Sequence, residues 1–380
     1  MKILLLGEYS SLHNTLKEGL LLKGCDVTLL GDGDGFKDFP SDISIKPKIF
    51  NETILKYLKL GVYKITGWDL TKLERGIRFY NNLNKLKGYD AVQLINERPI
   101  KTYASWERYL LKRVFNNNKK IVLLSCGADF MNIRYALNHK EETSLLTPYF
   151  KNQSLKPQFS YALEYLKKKH KKTHELVYKN IEAVIATDFD YVTPLKNHSK
   201  FKGLIPYPVL INTDIESKNN ESNSIHILLG INRWNYYAKG IPFFEDTLIE
   251  IKKKYCSKVT IIKAENLPYK TYREYLLKTD IVLDQVYAKD QGYNALESMA
   301  MGKAVFTGAN KDFIEYYNLK EDQVCIEAKP EVKYLIKKLS QLIENPEKIK
   351  EIGKQAQIFV EKEHHHLKIA EKYLAVYKAI

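Results

Sequence analysis

Ile281-Val282-Leu283-Asp284-Gln285-Val286-Tyr287-Ala288-Lys289-Asp290-Gln291-Gly292-Tyr293-Asn294-Ala295-Leu296-Glu297-Ser298-Met299-Ala300-Met301-Gly302-Lys303-Ala304-Val305 reads as a strand, a loop, a helix and a second strand. The short apolar run ends at Leu283, the loop crosses Gly292, a small-residue-rich helix over Asn294–Met301 stops at Gly302, and a strand begins at Ala304. Such alternation with short connections is the pattern of a parallel sheet covered by helices. A helix that starts beside a glycine can bring backbone N–H groups and the positive end of its dipole close to an anion. Glu297 lies one turn into that helix, where a carboxylate can accept two hydrogen bonds from vicinal hydroxyls such as those of a ribose. On spacing alone, a solvent-facing helical glutamate is the competing reading.

The same texture extends both ways along the chain. Ile3–Leu6, Asp26–Leu30, Ala91–Ile95, Ile121–Leu124 and Ala183–Ala186 read as strands, with helices expected over Asn14–Leu22, Ser105–Phe115 and Tyr161–Tyr178. Continuous apolar runs of this length are how strands buried on both faces read. After Pro206 and Pro208 comes a polar stretch rich in Asn, Ser and Glu, the composition of a linker. Strands then resume at Ile225–Leu229, Val259–Ile262 and Ala304–Phe306, with helices expected over Phe243–Lys254 and Lys270–Leu277, and Glu331–Ile380 reads as helical with a break near Asn345-Pro346. The division expected is a first α/β domain over 1–210, a linker over 211–224, a second α/β domain over 225–355 and a terminal helix over 356–380.

A chain of 380 residues has room for two cores of ordinary size. The formal net charge is +15, which suits anionic partners without specifying a fold. The four cysteines are far apart and form neither a zinc pattern nor a disulfide framework. No run approaches the ~20 apolar residues of a membrane helix, and the opening Met-Lys-Ile-Leu-Leu-Leu-Gly is too short for a signal peptide. A cytoplasmic chain is expected, with any membrane contact peripheral.

A second motif, Gly230-Ile231-Asn232-Arg233-Trp234-Asn235-Tyr236-Tyr237-Ala238-Lys239-Gly240, follows the first strand of the second half. Arginine offers a planar fork and lysine a mobile point charge for phosphate oxygens. Together Arg233 and Lys239 could neutralise a diphosphate leaving group; two ordinary surface cations are the alternative. With the Gly292–Val305 segment, this motif resembles the second domain of GT-B glycosyltransferases, especially the large retaining family 4. The matching residues are Arg233, Lys239-Gly240, and Gly292 through Glu297 to Val305. Ile205-Pro206-Tyr207-Pro208-Val209 through Asp214 is similar to the segment that leads between the domains in that family.

The resemblance implies two Rossmann-like, doubly wound domains facing across a cleft, with a C-terminal helix crossing back to the first. It implies a nucleoside-diphosphate sugar as donor substrate, retention of configuration, no other cofactor and no obligatory metal. Gly292, Tyr293, Asn294 and Glu297 would bind the nucleotide, and Arg233 and Lys239 would assist departure of the diphosphate. In the first domain, Gly7 through Asn14 resembles the loop that approaches the donor phosphates, with His13 a hydrogen-bond or proton donor. Ser125-Cys126-Gly127-Ala128-Asp129 is similar to the family's His-Gly-Ser-Asp segment and would place Asp129 near acceptor or donor sugar. The family's glutamate pair is incomplete: Lys289 stands eight positions before Glu297, where the first acid belongs.

Asp32-Gly33-Asp34 and Asp188-Phe189-Asp190 look like metal-binding Asp-x-Asp pairs but lack the wider pattern. Three consecutive histidines, His364–His366, point about 100° apart on a helix and converge poorly, so a solvated face is expected. Lys167–Lys172 reads as a solvated helix face that could also attract anionic phospholipid. The acceptor expected is a glycan or a lipid-linked group, in bacterial surface-polysaccharide synthesis. No nucleic-acid module is present. The alternatives are a sugar-nucleotide epimerase of the same fold and a non-catalytic nucleotide- or glycan-binding protein.

Overall fold

The computed structural model describes residues 1–51, 53–211 and 224–380. The expected linker therefore lies, except at its two ends, outside the described residues, as does Asp214. Before it run β1 (Lys2–Leu6), β2 (Asp26–Gly31), β3 (Ile43–Ser44), β4 (Ala91–Leu94), β5 (Lys120–Ser125), β6 (Ala183–Ala186) and β7 (Phe201–Leu204). After it come β8 (Ile225–Ile231), β9 (Val259–Glu265), β10 (Ile281–Leu283), β11 (Ala304–Thr307) and β12 (Ile326–Glu327). Among the described residues they form two sheets, ordered β3-β2-β1-β4-β5-β6-β7 and β12-β11-β10-β8-β9. Every pairing is parallel. All four residues of β4, β6 and β11 are buried, as expected of strands with helices on both faces.

Each sheet reverses its strand order once, between β1 and β4 in the first and between β8 and β10 in the second. Ligands of open parallel sheets bind beyond the carboxyl ends of the strands at such a reversal. Four loops lie there: Gly7–Ser11, the segment 95–102, Asn232–Gly240 and Asp284–Gly292.

Most strands fall where the apolar runs placed them. The single helix expected over Tyr161–Tyr178 is instead a helical turn at Ser160–Leu163, a tighter turn at Glu164–Leu166 and a separate helix at Lys168–Asn180. Lys167 is extended, with ψ 142°, and this break turns His170 into the protein. The helices Thr53–Thr66 and Leu70–Asn82 lie in a region whose sequence carried no reading.

The chain's last two helices, after residue 345, tie the domains together. Helix Pro346–Glu363 packs on the second domain, where a Cβ added to Gly353 would meet the Gly302 carbonyl oxygen at 2.0 Å. Gly353→Ala is therefore expected to cost about 3 kcal/mol, the upper range for overpacking a closed site; an unchanged melting point would show that the contact yields. The chain turns at His364, whose carbonyl accepts a hydrogen bond from the Val209 N–H (2.8 Å), and His366 N–H returns one to the Val209 carbonyl (3.1 Å). His364 is 4% exposed and its Nδ1 bonds the Tyr207 carbonyl at 2.9 Å. The expected solvated histidine face is thus corrected: His364 locks the turn. Helix His366–Ala379 then lies on helix Leu12–Leu22, which it meets where Gly19 leaves no room for a side chain: a Cβ there would sit 2.6 Å from the His366 carbonyl oxygen. One buried cluster runs from Leu16 and Leu20 through Ile369 and Tyr373 to Met299 and Phe359.

Candidate functional site

The site builds outward from Gly240. Its φ is +68°, and a Cβ would meet Val286 Cγ2 at 2.1 Å, so only glycine lets this loop close on the one after β10. Val286 N–H donates to the Lys239 carbonyl at 3.0 Å. This closure brings Lys239 Nζ to 2.7 Å from Oδ1 of Asp284, the buried residue that follows β10. Asn294, in the first turn of helix Tyr293–Ala300, donates to the same oxygen at 3.1 Å, and Thr307 Oγ1 donates to Oδ2 at 3.2 Å. Asp284 thus holds a lysine and a helix start together at the reversal of the second sheet. Its place at a strand's carboxyl end was a readable signal, but its role was not assigned from sequence.

Glu297 lies on the same helix and accepts a hydrogen bond from the Tyr269 hydroxyl. Burial raises the Glu297 carboxyl above its ordinary range, opposed by the Tyr269 bond and by Arg273. A hydroxyl already sits on the carboxylate expected to hold ribose hydroxyls. Gly292 caps the helix without a side chain. Tyr293 reaches across to the first domain, its hydroxyl 2.9 Å from Thr15 Oγ1. Phe39 meets Tyr269 with ring centroids 5.5 Å apart, so the domains touch on both sides of Glu297.

Facing this wall is the loop after β1. Gly7 has φ +85°, and a Cβ would meet Ile95 at 2.4 Å. Glu8 accepts from the backbone of His13 (3.4 Å) and Asn14 (2.9 Å) and from the Asn14 side chain (2.6 Å), closing the start of the first helix. Burial pushes its carboxyl up to about 7, with Asp34 adding repulsion. Between pH 4.5 and 7 the folded chain keeps a proton on Glu8 that the unfolded chain has released. This contribution is therefore full below pH 4.5 and lost as pH rises to 7. Relative to Glu8→Gln, the wild type is expected to lose roughly 3 kcal/mol across that window. Urea midpoints at pH 5 and pH 8 measure it, and parallel losses in both proteins would refute the assignment.

His13 lies fully buried under this loop. Gln93 Nε2 is 3.0 Å from His13 Nε2, and His13 Nδ1 is 2.7 Å from the Gly7 carbonyl oxygen. Tyr377 donates to Gln93 Oε1, which orients the amide, makes Gln93 the donor to Nε2 and leaves the ring proton on Nδ1. Burial drops the imidazole to about 3, so it is neutral at neutral pH with both nitrogens committed. Asp129 caps helix Phe130–Asn138, accepting from Asn132 N–H (2.7 Å) and from Ser125 Oγ. Burial, then Glu97, pushes its carboxyl up to about 7.

Lys239 and Asn294 are brought together on Asp284, with Glu297 one turn further along the same helix; Arg233 is held at the rim. Its guanidinium makes a bidentate pair with Glu265 at 2.6 and 2.5 Å, lies over the Tyr236 ring, and is half exposed. Lys289, at the position of the family's first acid, crosses the domain seam. Its Nζ lies 3.2 Å from Glu142 and 3.3 Å from Thr193 Oγ1, and its N–H donates to Asp190. Asp188 and Asp190 meet Asp290 there, with carboxylate oxygens within 4.8 Å of one another. Asp188 and Asp290 also hold backbone N–H groups of Asp190 and Phe189.

The whole chain aligns with solved structures built on this plan. Sucrose-phosphate synthase from Thermosynechococcus elongatus superposes with a TM-score of 0.61 at 12% identity, over 100% of this chain and 98% of that one. Anabaena HepE in complex with UDP and glucose gives 0.59 at 12% identity, over 100% and 99%. The fold is GT-B. Another GT-B neighbour, UDP-GlcNAc 2-epimerase from Neisseria meningitidis bound to UDP-GlcNAc, gives 0.51 at 14% identity, over 95% of this chain and 99% of that one. Residues 222–375 match the family model described as "Glycosyl transferase-like", a span that contains both motifs of the second domain. No curated protein matches the sequence. Among the described residues, no helix is long and apolar enough to cross a membrane.

Proposed function

We propose that this chain is a glycosyltransferase that moves a sugar from a nucleoside-diphosphate sugar to a glycan or lipid-linked acceptor. The observation that carries the reading is that Asp284 holds Lys239 and Asn294 at the start of the helix that bears Glu297, while Tyr293 of that helix reaches Thr15 in the first domain. In this reading Lys239 and the N–H groups opening helix Tyr293–Ala300 stabilise charge on the departing diphosphate, a term that grows as the bond breaks. Asp284 fixes where the lysine stands. Glu297 exchanges the Tyr269 hydroxyl for those of the ribose. Arg233 moves from Glu265 to the diphosphate only if that exposed pair opens.

Retention of configuration, freedom from an obligatory metal, peripheral membrane contact and a setting in surface-polysaccharide synthesis belong to the same proposal and rest on the resemblance. The HepE and epimerase complexes hold UDP, UDP-glucose and UDP-GlcNAc, which makes uridine donors the first to try. A thermal-shift screen across UDP-, GDP- and dTDP-sugars is expected to give a rise with one base family. No rise with any of them would remove the donor-site assignment. The second reading, an epimerase, is favoured by the epimerase neighbours; conversion of a UDP-sugar without acceptor would establish it and displace transfer.

A further inference from the structure

The first domain holds a cavity apart from the residues proposed to bind the donor. It encloses about 430 Å³ beneath helix Thr53–Thr66, where Arg98 and His170 line it together with Lys72 and Lys169. Arg98 is 8% and His170 3% exposed. Arg98 Nη1 is paired with Glu164 at 2.5 Å, yet its Nε has no hydrogen-bond partner among the described residues, and neither has either ring nitrogen of His170. Buried nitrogens without partners cost free energy unless something fills the role. The carboxylates at this cavity are engaged: Asp69 caps helix Leu70–Asn82, and Glu164 holds Arg98, with His170 Nε2 3.6 Å away. The Arg98 Nε–H and the single N–H of a neutral His170 remain without an acceptor, and the flanking Lys72 and Lys169 favour one that carries negative charge.

We infer that this cavity binds a phosphate ester carried by the acceptor, with Arg98 and His170 donating at its floor and Lys72 and Lys169 closing over it. This rests on the transferase reading and names the acceptor's chemical class. Two further features support it. Arg98 belongs to the segment after β4, at the reversal of the first sheet, and the same segment sends Lys101 over the ring of Tyr9 in the loop facing the donor site. The cavity and the proposed donor site thus share one loop. The rim beside it is apolar: Tyr57, Leu58, Leu60, Tyr63, Ile65 and Trp68 are all exposed. Such a rim suits a phosphate borne on a lipid, and a soluble phosphate ester would use the same floor.

The test uses the full chain with ¹³C-labelled histidine and inorganic pyrophosphate as probe, read by NMR. The His170 resonance, assigned by its loss in His170→Gln, is expected to shift saturably with pyrophosphate, with UDP present or absent. Because His170 lies in the first domain, the shift reports this cavity even if no nucleotide binds elsewhere. Lys72→Gln and Lys169→Gln, which change rim residues without emptying the floor, are each expected to weaken binding about fivefold. Arg98→Gln should abolish it. No shift of His170 at millimolar pyrophosphate, or affinity indifferent to all these substitutions, overturns the proposal. Cosedimentation with phosphatidylglycerol vesicles, released by pyrophosphate and lost in Arg98→Gln, assigns the phosphate to a lipid. A pyrophosphate shift without vesicle binding assigns it to a soluble ester.

Discussion

Lys239→Ala is expected to lower kcat for sugar transfer by about 100- to 1000-fold, the range seen when one preorganised donor to developing charge is removed. Its position is set by the Gly240 turn and by Asp284, and that carboxylate keeps Asn294 and Thr307 when the lysine is gone. The fold should therefore survive, as circular dichroism and the melting curve can establish. Lys239→Arg should recover only part of the rate, because a broad guanidinium does not fit the place of a point charge beside a buried carboxylate. Arg233→Ala is expected to lose less than Lys239→Ala, since its guanidinium is committed to Glu265 at the rim. A purified Lys239→Ala protein with wild-type turnover would mean that the diphosphate leaves somewhere else.

Glu297→Ala is expected to lower kcat/KM by roughly 100-fold through KM, with kcat little changed. Two hydrogen bonds to an ionised carboxylate contribute about 1.5 kcal/mol each at the low end of their range, because they replace the Tyr269 hydroxyl, and ribose hydroxyls are held equally in ground and transition states, which moves KM rather than kcat. The same loss should appear when wild-type enzyme is given a 2′,3′-dideoxy donor. The substitution and the altered donor should not add, because both remove one interaction. Full additivity would place the ribose away from this helix.

Much of this architecture is legible without coordinates. Short apolar runs such as Ile3–Leu6 and Ala183–Ala186 can only be parallel strands when helix-length segments separate them, and they are. The helix from Tyr293 and the Lys239-Gly240 pair could be placed because glycine and charge stand at the ends of those runs. What could not be read is the choice of partners between segments distant in sequence. Nothing local says that Arg233 pairs with Glu265 or that Lys289 reaches Glu142 across the seam. Lys167–Lys172 hides its one inward residue: five lysines mask His170, and only the kink at Lys167 decides where it points. The helix Thr53–Thr66 escaped because Tyr57, Leu58, Leu60, Tyr63 and Ile65 lie exposed, where periodicity does not mark a core.

The Tyr377–Gln93–His13–Gly7 chain and the helix that carries it have a bearing on how the protein is made. The face of helix Leu12–Leu22 near Gly19 receives its cover from residues synthesised roughly 350 positions later, about 20–70 s at ordinary ribosome speeds. Through that interval the nascent first domain must wait with an unsealed greasy flank. A fragment cut before His366 should accordingly clump or recruit chaperones, however sound its sheet.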